Sequence, residues 1–356
     1  MAGEDFSGKI EPKAHYTYLT NALIEAFNSR TLPDISDITI EPDYGYFSII
    51  HYIDGTNRVI FGHDPGLNSG ASEQLANDKG YSKFVLRQLG IKCPIGKEFL
   101  LPWWATKLRE TNPGSINEII ETTTNAADFI TDKIGYPAYI KPINGSQGNG
   151  VHQVYKPYEL EDIFLSYETQ RVKVAVVEQS VRMPDYRLLV FNGKLVNAYE
   201  RTPLSIIGNG KHSILALIEQ KNHRFIEQNR KVNFDRLLPQ IVRFIGNTGL
   251  NLNSVPDEGD FIRLLETSNL STGGEPIDVT DRIDGRWKDL AVKIASAFNL
   301  KICGVDLACE NINSPESDYS VIEVNATPGS KHFMESGSKQ REKLAQLFMK
   351  FFGIIK

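Results

Sequence analysis

The sequence has little cysteine, no excess of positive charge and no long hydrophobic segment. Its three cysteines, Cys93, Cys303 and Cys309, are odd in number and lack CxxC spacing. This pattern argues against a disulfide framework or a thiolate zinc site and favours a reducing compartment. Lys and Arg total 39 against 44 for Asp and Glu, a net charge of −5. The charge balance therefore gives no sign of a nucleic-acid partner.

The chain also lacks the features of a membrane or secreted protein. Apolar residues never continue for the roughly 20 positions that a membrane-spanning helix needs. Residues 1–7 have neither the basic nor the apolar part of a signal peptide. We expect a cytoplasmic protein with no membrane partner. Its 356 residues, 41% of them hydrophobic, predict two or three domains with ample core.

Hydrophobic spacing and turn residues predict a mixture of helices and strands. Residues 62–72 hold three glycines and a proline, which predicts a loop and a domain boundary. Helices are predicted at 16–27, 78–89, 158–167, 213–228 and 283–298 and at the C-terminus. Strands are predicted before Pro94 and at 38–40, 46–53, 57–62, 138–141, 151–155, 173–179, 187–191, 194–200, 302–310 and 319–326.

One candidate phosphate site is a strand that ends in Lys141 and runs into Gly145, Gly148 and Gly150. Glycines let the backbone point N–H groups at phosphate oxygens, and the lysine supplies a positive charge. The alternative is a glycine-rich surface hairpin. The glycine order is not that of the dinucleotide fingerprint, and the chain has no Walker A loop. A phosphate site here therefore needs another architecture.

A candidate metal site consists of Asp306, Glu323 and Asn325. Glu323 and Asn325 are two apart on a predicted strand, so both side chains emerge on one face. Asp306 lies on the preceding strand. Three oxygen-bearing side chains suit Mg²⁺, which prefers carboxylates together with phosphate oxygens and water. The alternative is a solvated polar strand face, although the apolar flanking residues argue against an outer strand.

Two further segments are open to more than one interpretation. Val176-Val-Glu178 resembles a hinge whose backbone could pair with an adenine, and Asp185 could then hold ribose hydroxyls. The alternative, which this segment alone favours, is that both acids are ordinary surface residues. The loop Asn269-Leu-Ser-Thr-Gly-Gly274 is either a turn between strands or a nest of N–H groups facing an anion.

Taken in order, these motifs resemble the ATP-grasp superfamily. Asp78-Lys79 opens a helix, Tyr139-Ile-Lys141 precedes the glycine loop, and the Glu178 hinge, Gly304-Val-Asp306 and Ile322-Glu-Val-Asn325 follow. Further blocks are similar to the ATP-grasp modules of cyanophycin synthetase and bifunctional glutathione synthetase. These blocks lie at 185–190, 200–203, 208–214, 269–274 and 277–281.

The resemblance implies an α+β ATP-grasp fold, in which two α+β lobes grip ATP, with a small N-terminal α/β domain. It places that domain at 1–75, the first lobe with its glycine-rich flap at 76–180, and the second lobe with the magnesium and substrate sites at 181–356. We expect one such module, without the Mur-ligase-type domain of cyanophycin synthetase or the glutamate–cysteine ligase domain of the bifunctional enzyme.

The resemblance also implies an ATP-dependent carboxylate–amine ligase. Such an enzyme forms a peptide or isopeptide bond through an acyl phosphate and releases ADP and phosphate. Its partners would be amino-acid or peptide substrates, and many relatives form homodimers or homotetramers. The alternatives are an ATP-grasp kinase that phosphorylates a small molecule and an ATP-binding module without catalysis.

Residue roles follow from the same resemblance. Arg187 and Arg201 match catalytic arginines aimed at the acyl phosphate or the substrate carboxylate. Asp306, Glu323 and Asn325 match Mg²⁺ ligands, with Mn²⁺ as a substitute ion. The candidate substrate contacts are Arg263, Asn269 and Ser271. The residues matching ATP contacts are Lys79, Lys141, Ser146, Gln147, Gly148, Gly150, Glu178 and Asp185.

The hairpin around Asn192-Gly193 decides whether the two arginines share a face. With a strict two-residue turn, Arg187 pairs with Ala198 and Arg201 falls on the opposite face. A three-residue turn with a glycine bulge shifts the pairing by one and sets Arg201 across from Asp185. We predict the bulge.

Overall fold

The computed structural model describes residues 10–111, 122–145, 150–228, 230–329, 333–334 and 337–353. The chain forms two compact units, each built from separated segments. Unit one comprises Met1–Ser69, Pro203–Pro276 and Thr327–Lys356, and unit two comprises Gly70–Thr202 and Ile277–Ala326. The division of the chain at residues 75 and 180 stays a prediction.

Unit one contains a small antiparallel sheet in the order β1-β2-β3. Its strands are β1 (Ile35–Ile40), β2 (Phe47–Tyr52) and β3 (Asn57–Phe61). The preceding helix α1 (Tyr18–Asn28) begins where the Thr17 side chain accepts a hydrogen bond from an amide of its first turn. The last helix of the chain, α10 (Ser338–Phe352), belongs to the same unit.

The rest of unit one is a helical pair with a two-stranded sheet. The helices are α7 (Ile214–Glu227) and α8 (Phe234–Gly246), and the strands are β10 (Ser205–Ile207) and β11 (Phe261–Arg263). Their apolar faces form one core with Leu204, Leu264 and Leu265. Helix α8, which has Pro239 inside it, was not predicted from the sequence.

Unit two contains a four-stranded antiparallel sheet in the order β4-β7-β5-β6. Its strands are β4 (Gly96–Leu100), β5 (Ala138–Pro142), β6 (His152–Val154) and β7 (Val174–Gln179). The strand predicted before Pro94 is wrong, because the extended strand of this region is β4, just beyond that proline. The accompanying helices are α4 (Pro102–Thr111), α5 (Ala126–Phe129) and α6 (Glu159–Thr169).

A second sheet has five strands in the order β12-β9-β8-β13-β14, and all except β12 lie wholly within unit two. Its strands are β8 (Asp185–Phe191), β9 (Lys194–Thr202), β12 (Glu275–Asp278), β13 (Ile302–Cys309) and β14 (Tyr319–Asn325). One face packs on apolar side chains of α2 (Gly70–Asn77), α3 (Lys79–Gln88) and α9 (Gly285–Ala297), with the buried Trp287 among them. The opposite face is left for polar side chains, because successive residues of a strand alternate between faces.

The β8–β9 hairpin has the predicted register but not the predicted turn. Asp185 lies opposite Arg201 and Arg187 opposite Tyr199, as the bulge hypothesis requires. The turn, however, has two residues, Asn192 and Gly193, both with positive φ. The extra residue is Val196, inside β9, where the register shifts between Leu189 and Val190 of the partner strand. A bulge within the strand thus replaces the predicted three-residue turn.

The structure also describes the cysteines and the apolar character of the helices. All three cysteines are free, and two of them are buried. Within the described ranges, no helix combines the length and apolar character that crossing a membrane requires.

Candidate active site

A row of charged side chains crosses the polar face of the five-stranded sheet. Arg187 of β8 lies opposite Asp306 of β13, and Asp306 lies opposite Glu323 of β14. Directly paired residues of neighbouring strands project on the same side. A bulge in β14 follows this pair, since Leu307 lies opposite Val321. The row therefore sets one arginine and two carboxylates side by side.

Two arginines and two aspartates make up one end of this row. Arg187 donates two hydrogen bonds to the Asp306 carboxylate, the longer one 3.2 Å from Nη2 to Oδ2. Arg201 Nη2 lies 2.7 Å from Asp185 Oδ1 and 3.0 Å from Asp306 Oδ2. The Asp306 side chain is 6% exposed. Charges removed from water to this extent need close partners of opposite sign, which the four groups supply to one another.

The pKa values of the two aspartates move in opposite directions. Burial raises the pKa of Asp306, but Arg187 and Arg201 lower it further, so the net shift is downward. For Asp185, burial raises the pKa by more than Arg201 lowers it, and the nearby Asp306 charge adds to the rise. Asp306 thus holds its negative charge more firmly than Asp185 does.

Lys79 approaches the other end of the row. It is the first residue of α3, whose N-cap Asp78 accepts hydrogen bonds from the amides of Gly80 and Tyr81. Its Nζ lies 3.1 Å from Glu323 Oε1 and donates to the Gly145 carbonyl at 2.5 Å. The predicted nucleotide lysine and the predicted metal carboxylate are therefore in contact.

Lys141 contacts the predicted hinge acid. It lies on β5, opposite Val176 of β7, and its Nζ is 2.6 Å from Glu178 Oε2. Lys83, on the same face of α3 as Lys79, contacts the other oxygen of Glu178. Burial is the main reason that the pKa of Lys141 falls to about 8, with Glu323 opposing the shift and Lys79 adding to it. Burial, followed by the Lys141 charge, also lowers the pKa of Lys83.

The predicted metal ligands share one face of two neighbouring strands. Asp306 pairs with Glu323, and Asn325, two residues further along β14, pairs with Gly304. The Asn325 Nδ2 atom is buried and has no hydrogen-bond partner within the described part of the chain. Among the described residues, no three or more His, Cys, Asp or Glu side chains form a group that could hold a metal ion. The assignment of Asp306, Glu323 and Asn325 as metal ligands stays a prediction.

The glycine flap is only partly described. Ser146, Gln147 and Gly148 lie outside the described residues. Gly150 has φ +69°, and a Cβ there would lie 3.0 Å from Pro142 Cγ. Its carbonyl accepts a hydrogen bond from the Tyr167 hydroxyl. The far end of the flap therefore needs a glycine.

The predicted substrate residues belong to unit one. Arg263 ends β11 and donates from Nη2 to the Glu266 carbonyl at 2.9 Å. Asn269 precedes a single 3₁₀ turn that contains Ser271. Their role as substrate contacts stays a prediction.

Sequence reasoning did not identify Lys83. Lysines are rarely buried, so composition alone does not single it out. The available signal was its position four residues after Lys79 on a predicted helix, which places both side chains on one face.

Comparisons with known proteins show which family this chain resembles. Residues 245–348 match the RimK-like ATP-grasp domain. Cyanophycin synthetase of Crocosphaera subtropica is 33% identical over 266 residues, covering 72% of this chain and 28% of the relative. The glutathione biosynthesis bifunctional protein GshAB of Clostridium perfringens is 30% identical over 261 residues, covering 71% of this chain and 31% of the relative. The chain thus spans less than a third of the length of either relative.

A solved structure supports the same fold. The bifunctional glutathione synthetase of Pasteurella multocida has a TM-score of 0.59 at 22% identity, covering 95% of this chain and 43% of that one. The α+β ATP-grasp prediction is thereby confirmed. The chain contains a RimK-like ATP-grasp domain and adopts the ATP-grasp fold, as its motifs predict.

Proposed function

We propose that this chain is an ATP-dependent carboxylate–amine ligase that forms a peptide or isopeptide bond through an acyl phosphate. The observation that carries the proposal is the row Arg187, Asp306 and Glu323 with Lys79 at its end. Phosphoryl transfer needs positioning and charge neutralisation rather than covalent help from the protein, and this row offers cations and carboxylates for both. Two relatives named as a cyanophycin synthetase and a glutathione biosynthesis protein support a ligase.

The nucleotide would be held by the lysines and acids of unit two. Lys79 and Lys141 would supply positive charge to the phosphates. Glu178, at the end of β7, would serve the adenine hinge, and Asp185, at the start of β8, would accept ribose hydroxyls. Ser146, Gln147, Gly148 and Gly150 of the flap would cover the phosphates with backbone N–H groups.

Mg²⁺, with Mn²⁺ as a substitute, would be held by Asp306, Glu323 and Asn325. Two carboxylates and an amide oxygen form a hard donor set that suits either ion. Asn325 would bind the ion through its amide oxygen, while its buried Nδ2 atom has no hydrogen-bond partner among the described residues. When bound, the ion would neutralise charge on the phosphate oxygens.

Arg187 and Arg201 would orient the substrate carboxylate and the acyl phosphate formed from it. The carboxylate oxygen bonds to the γ-phosphorus while the bond to the ADP oxygen breaks. The amine nitrogen then bonds to the carbonyl carbon, phosphate leaves with the electron pair of its bond, and the amine loses a proton to water. A guanidinium stays charged throughout and can bind both oxygens of a carboxylate.

The substrates would be amino-acid or peptide carboxylates and amines. Arg263, Asn269 and Ser271 are the candidate residues for selecting them. A homodimer or homotetramer is the expected assembly.

The test is a pairwise matrix of amino acids and small peptides with ATP and Mg²⁺, measured by phosphate release and product mass. A productive pair should release ADP and phosphate in equal amounts and give a product mass equal to the two substrates minus water. Hydroxylamine added with the acid alone should trap the acyl phosphate as a hydroxamate.

The Glu323→Gln variant serves as the control for catalysis at the proposed site. A product that retains the transferred phosphate would show that the protein is a kinase instead. ATP binding without turnover across the whole panel would favour a nucleotide-binding module.

A further inference from the structure

Lys83 shares a buried carboxylate with Lys141. The side chains of Lys83 and Glu178 are 4% and 3% exposed, and they are in direct contact. Lys141, with a side chain 10% exposed, lies 2.6 Å from the other Glu178 oxygen. One negative charge is therefore held between two ammonium groups on two different elements, α3 and β5.

A buried carboxylate cannot lose all its partners without a large cost in free energy, because little water can reach it. If Lys141 is to contact a nucleotide phosphate, its attraction to Glu178 must be weakened. In its protonated form Lys83 can do this in two ways, since its charge compensates Glu178 and repels the second ammonium. Among the three groups, Lys83 is placed to remain with Glu178.

Lys83 is also held more firmly than a surface lysine. It lies in the middle of α3, a helix with the capped N-terminus at Asp78. Leu86, one turn further on, is fully buried in the core of unit two. The helix thus fixes the backbone from which the Lys83 side chain reaches Glu178.

We propose that Lys83 is a positioning residue: it remains paired with Glu178 and thereby frees Lys141 to bind the ATP phosphates. The proposal rests on the proposed function, because it takes Lys141 as a nucleotide-binding lysine. It gives Lys83 a role in nucleotide affinity beyond a structural contact between α3 and β7.

The test is a double-mutant cycle on nucleotide affinity, measured by titration of a non-hydrolysable ATP analogue. In Lys83→Met, Lys141 becomes the remaining lysine on Glu178, so the Kd should rise about tenfold, the size expected for losing a close charge interaction. In the Glu178→Gln background the same change should alter the Kd by less than about twofold, because no carboxylate remains to retain Lys141.

Thermal unfolding of each variant separates this role from a structural one. Lys83→Gln, which keeps a hydrogen-bonding group, is the second variant should the methionine variant fail to fold. Lys92→Met is the matched control, since Lys92 pairs with Asp318 at 2.5 Å while both are more than half exposed. It should leave the Kd unchanged.

The outcomes distinguish the two proposals. An equal rise in Kd on changing Lys83 in both backgrounds, or a lowered Tm with an unchanged Kd, overturns the role of Lys83 alone. Wild-type protein that binds no nucleotide overturns both proposals. If the effects of Lys83 and Glu178 on the Kd are coupled as expected but the protein makes no ligase product, the positioning role of Lys83 is supported and the ligase proposal is contradicted.

Discussion

At the scale of single residues, Asp306 and Glu323 are neighbours with different surroundings. The Asp306 side chain is 6% exposed and contacts both Arg187 and Arg201. The Glu323 side chain is 32% exposed and contacts Lys79. Changing Asp306 leaves two buried arginines without the acceptor they share, whereas Lys79, 8% exposed, keeps its hydrogen bond to the Gly145 carbonyl when Glu323 is changed. The two carboxylates should therefore differ in their effect on stability.

We expect Glu323→Gln to lower kcat by about 100-fold or more, because its charge acts on the transferring phosphate. The free energy of unfolding should fall by about 1 kcal/mol, because Lys79 loses a charged partner but keeps the Gly145 carbonyl. Asp306→Asn should lower kcat similarly and also lower the free energy of unfolding by about 3 kcal/mol, since it leaves two buried arginines with a weaker acceptor. Phosphate release and urea unfolding measure the two quantities. Equal stability of both variants would contradict the assignment.

Lys141 gives the site a dependence on pH. Its pKa of about 8 means that the free protein loses this positive charge as the pH rises through that value. The KM for ATP should therefore increase above about pH 8. Lys141→Arg, which stays charged, should remove the increase. A KM profile that is flat to pH 9.5 in the wild-type protein would show that Lys141 does not bind the phosphates.

The lowered pKa of Lys141 affects stability in the opposite direction from ATP binding: a rise in pH weakens binding but stabilises the folded protein. Between pH 8 and the ordinary lysine value of 10.5, the unfolded chain holds more protons at this group than the folded chain does. The contribution of Lys141 to the free energy of unfolding should therefore rise with pH over that window. Urea unfolding at pH 8 and 10, compared with Lys141→Met, measures this contribution.

At the scale of elements, the β8–β9 hairpin shows how one residue orients the site. Val196 is the extra residue of β9, and it brings Arg201 to the face that carries Asp185 and Arg187. A shift of one residue in a strand moves every later side chain to the other face. The bulge thus decides which side chains of β9 reach the charged row.

Deleting Val196 should therefore abolish turnover, by at least about 100-fold, because Arg201 would leave the polar face. The matched control is Gly193→Ala in the same hairpin. Its φ of +71° disfavours a side chain, so stability should fall by about 1 kcal/mol while the register and kcat are kept. Loss of kcat in both variants to the same degree would point to general unfolding of the hairpin.

The elements that were predicted are those with a strong local signal. The Asn192-Gly193 turn and the apolar strands β7 and β13 agree with the sequence. Helix α8, which has Pro239 inside it, was not predicted, although Phe234, Leu237, Ile241 and Ile245 repeat at helical spacing. The loop predicted at 62–72 extends only to Ser69, since α2 begins at Gly70. In these places tertiary packing outweighs the local preference.

At the scale of the whole molecule, the two ends of the chain belong to one compact unit. The Tyr52 hydroxyl donates to the Phe352 carbonyl at 2.8 Å, and Arg58 Nη2 donates to the Gly353 carbonyl at 3.0 Å. These bonds satisfy carbonyls at the C-terminal end of α10, where a cation is also favoured by the helix dipole. The last helix is therefore anchored to the first sheet.

We expect Arg58→Ala to lower the free energy of unfolding by about 2 kcal/mol, the size expected for losing hydrogen bonds from a charged group. The Kd for an ATP analogue should stay unchanged, because the proposed nucleotide residues belong to unit two. Arg236→Ala, which removes an exposed arginine from α8 of the same unit, should have less than about 0.5 kcal/mol effect. Urea unfolding and titration measure both. A weakened Kd would contradict this separation of roles.

The sequence was sufficient for the fold family and for the candidate residues, because each motif is local. A lysine before a glycine loop, or Glu323 and Asn325 two apart on one strand, is visible in a short segment. The register that pairs Asp306 with Glu323 depended instead on the bulge in β14, and the register that pairs Asp185 with Arg201 depended on the bulge at Val196. Their position is set by packing between strands, which the order of residues along one strand does not reveal. Two further features required the tertiary structure, because they join residues far apart in the sequence. They are the Lys83–Glu178–Lys141 group and the contact of the last helix with the first sheet.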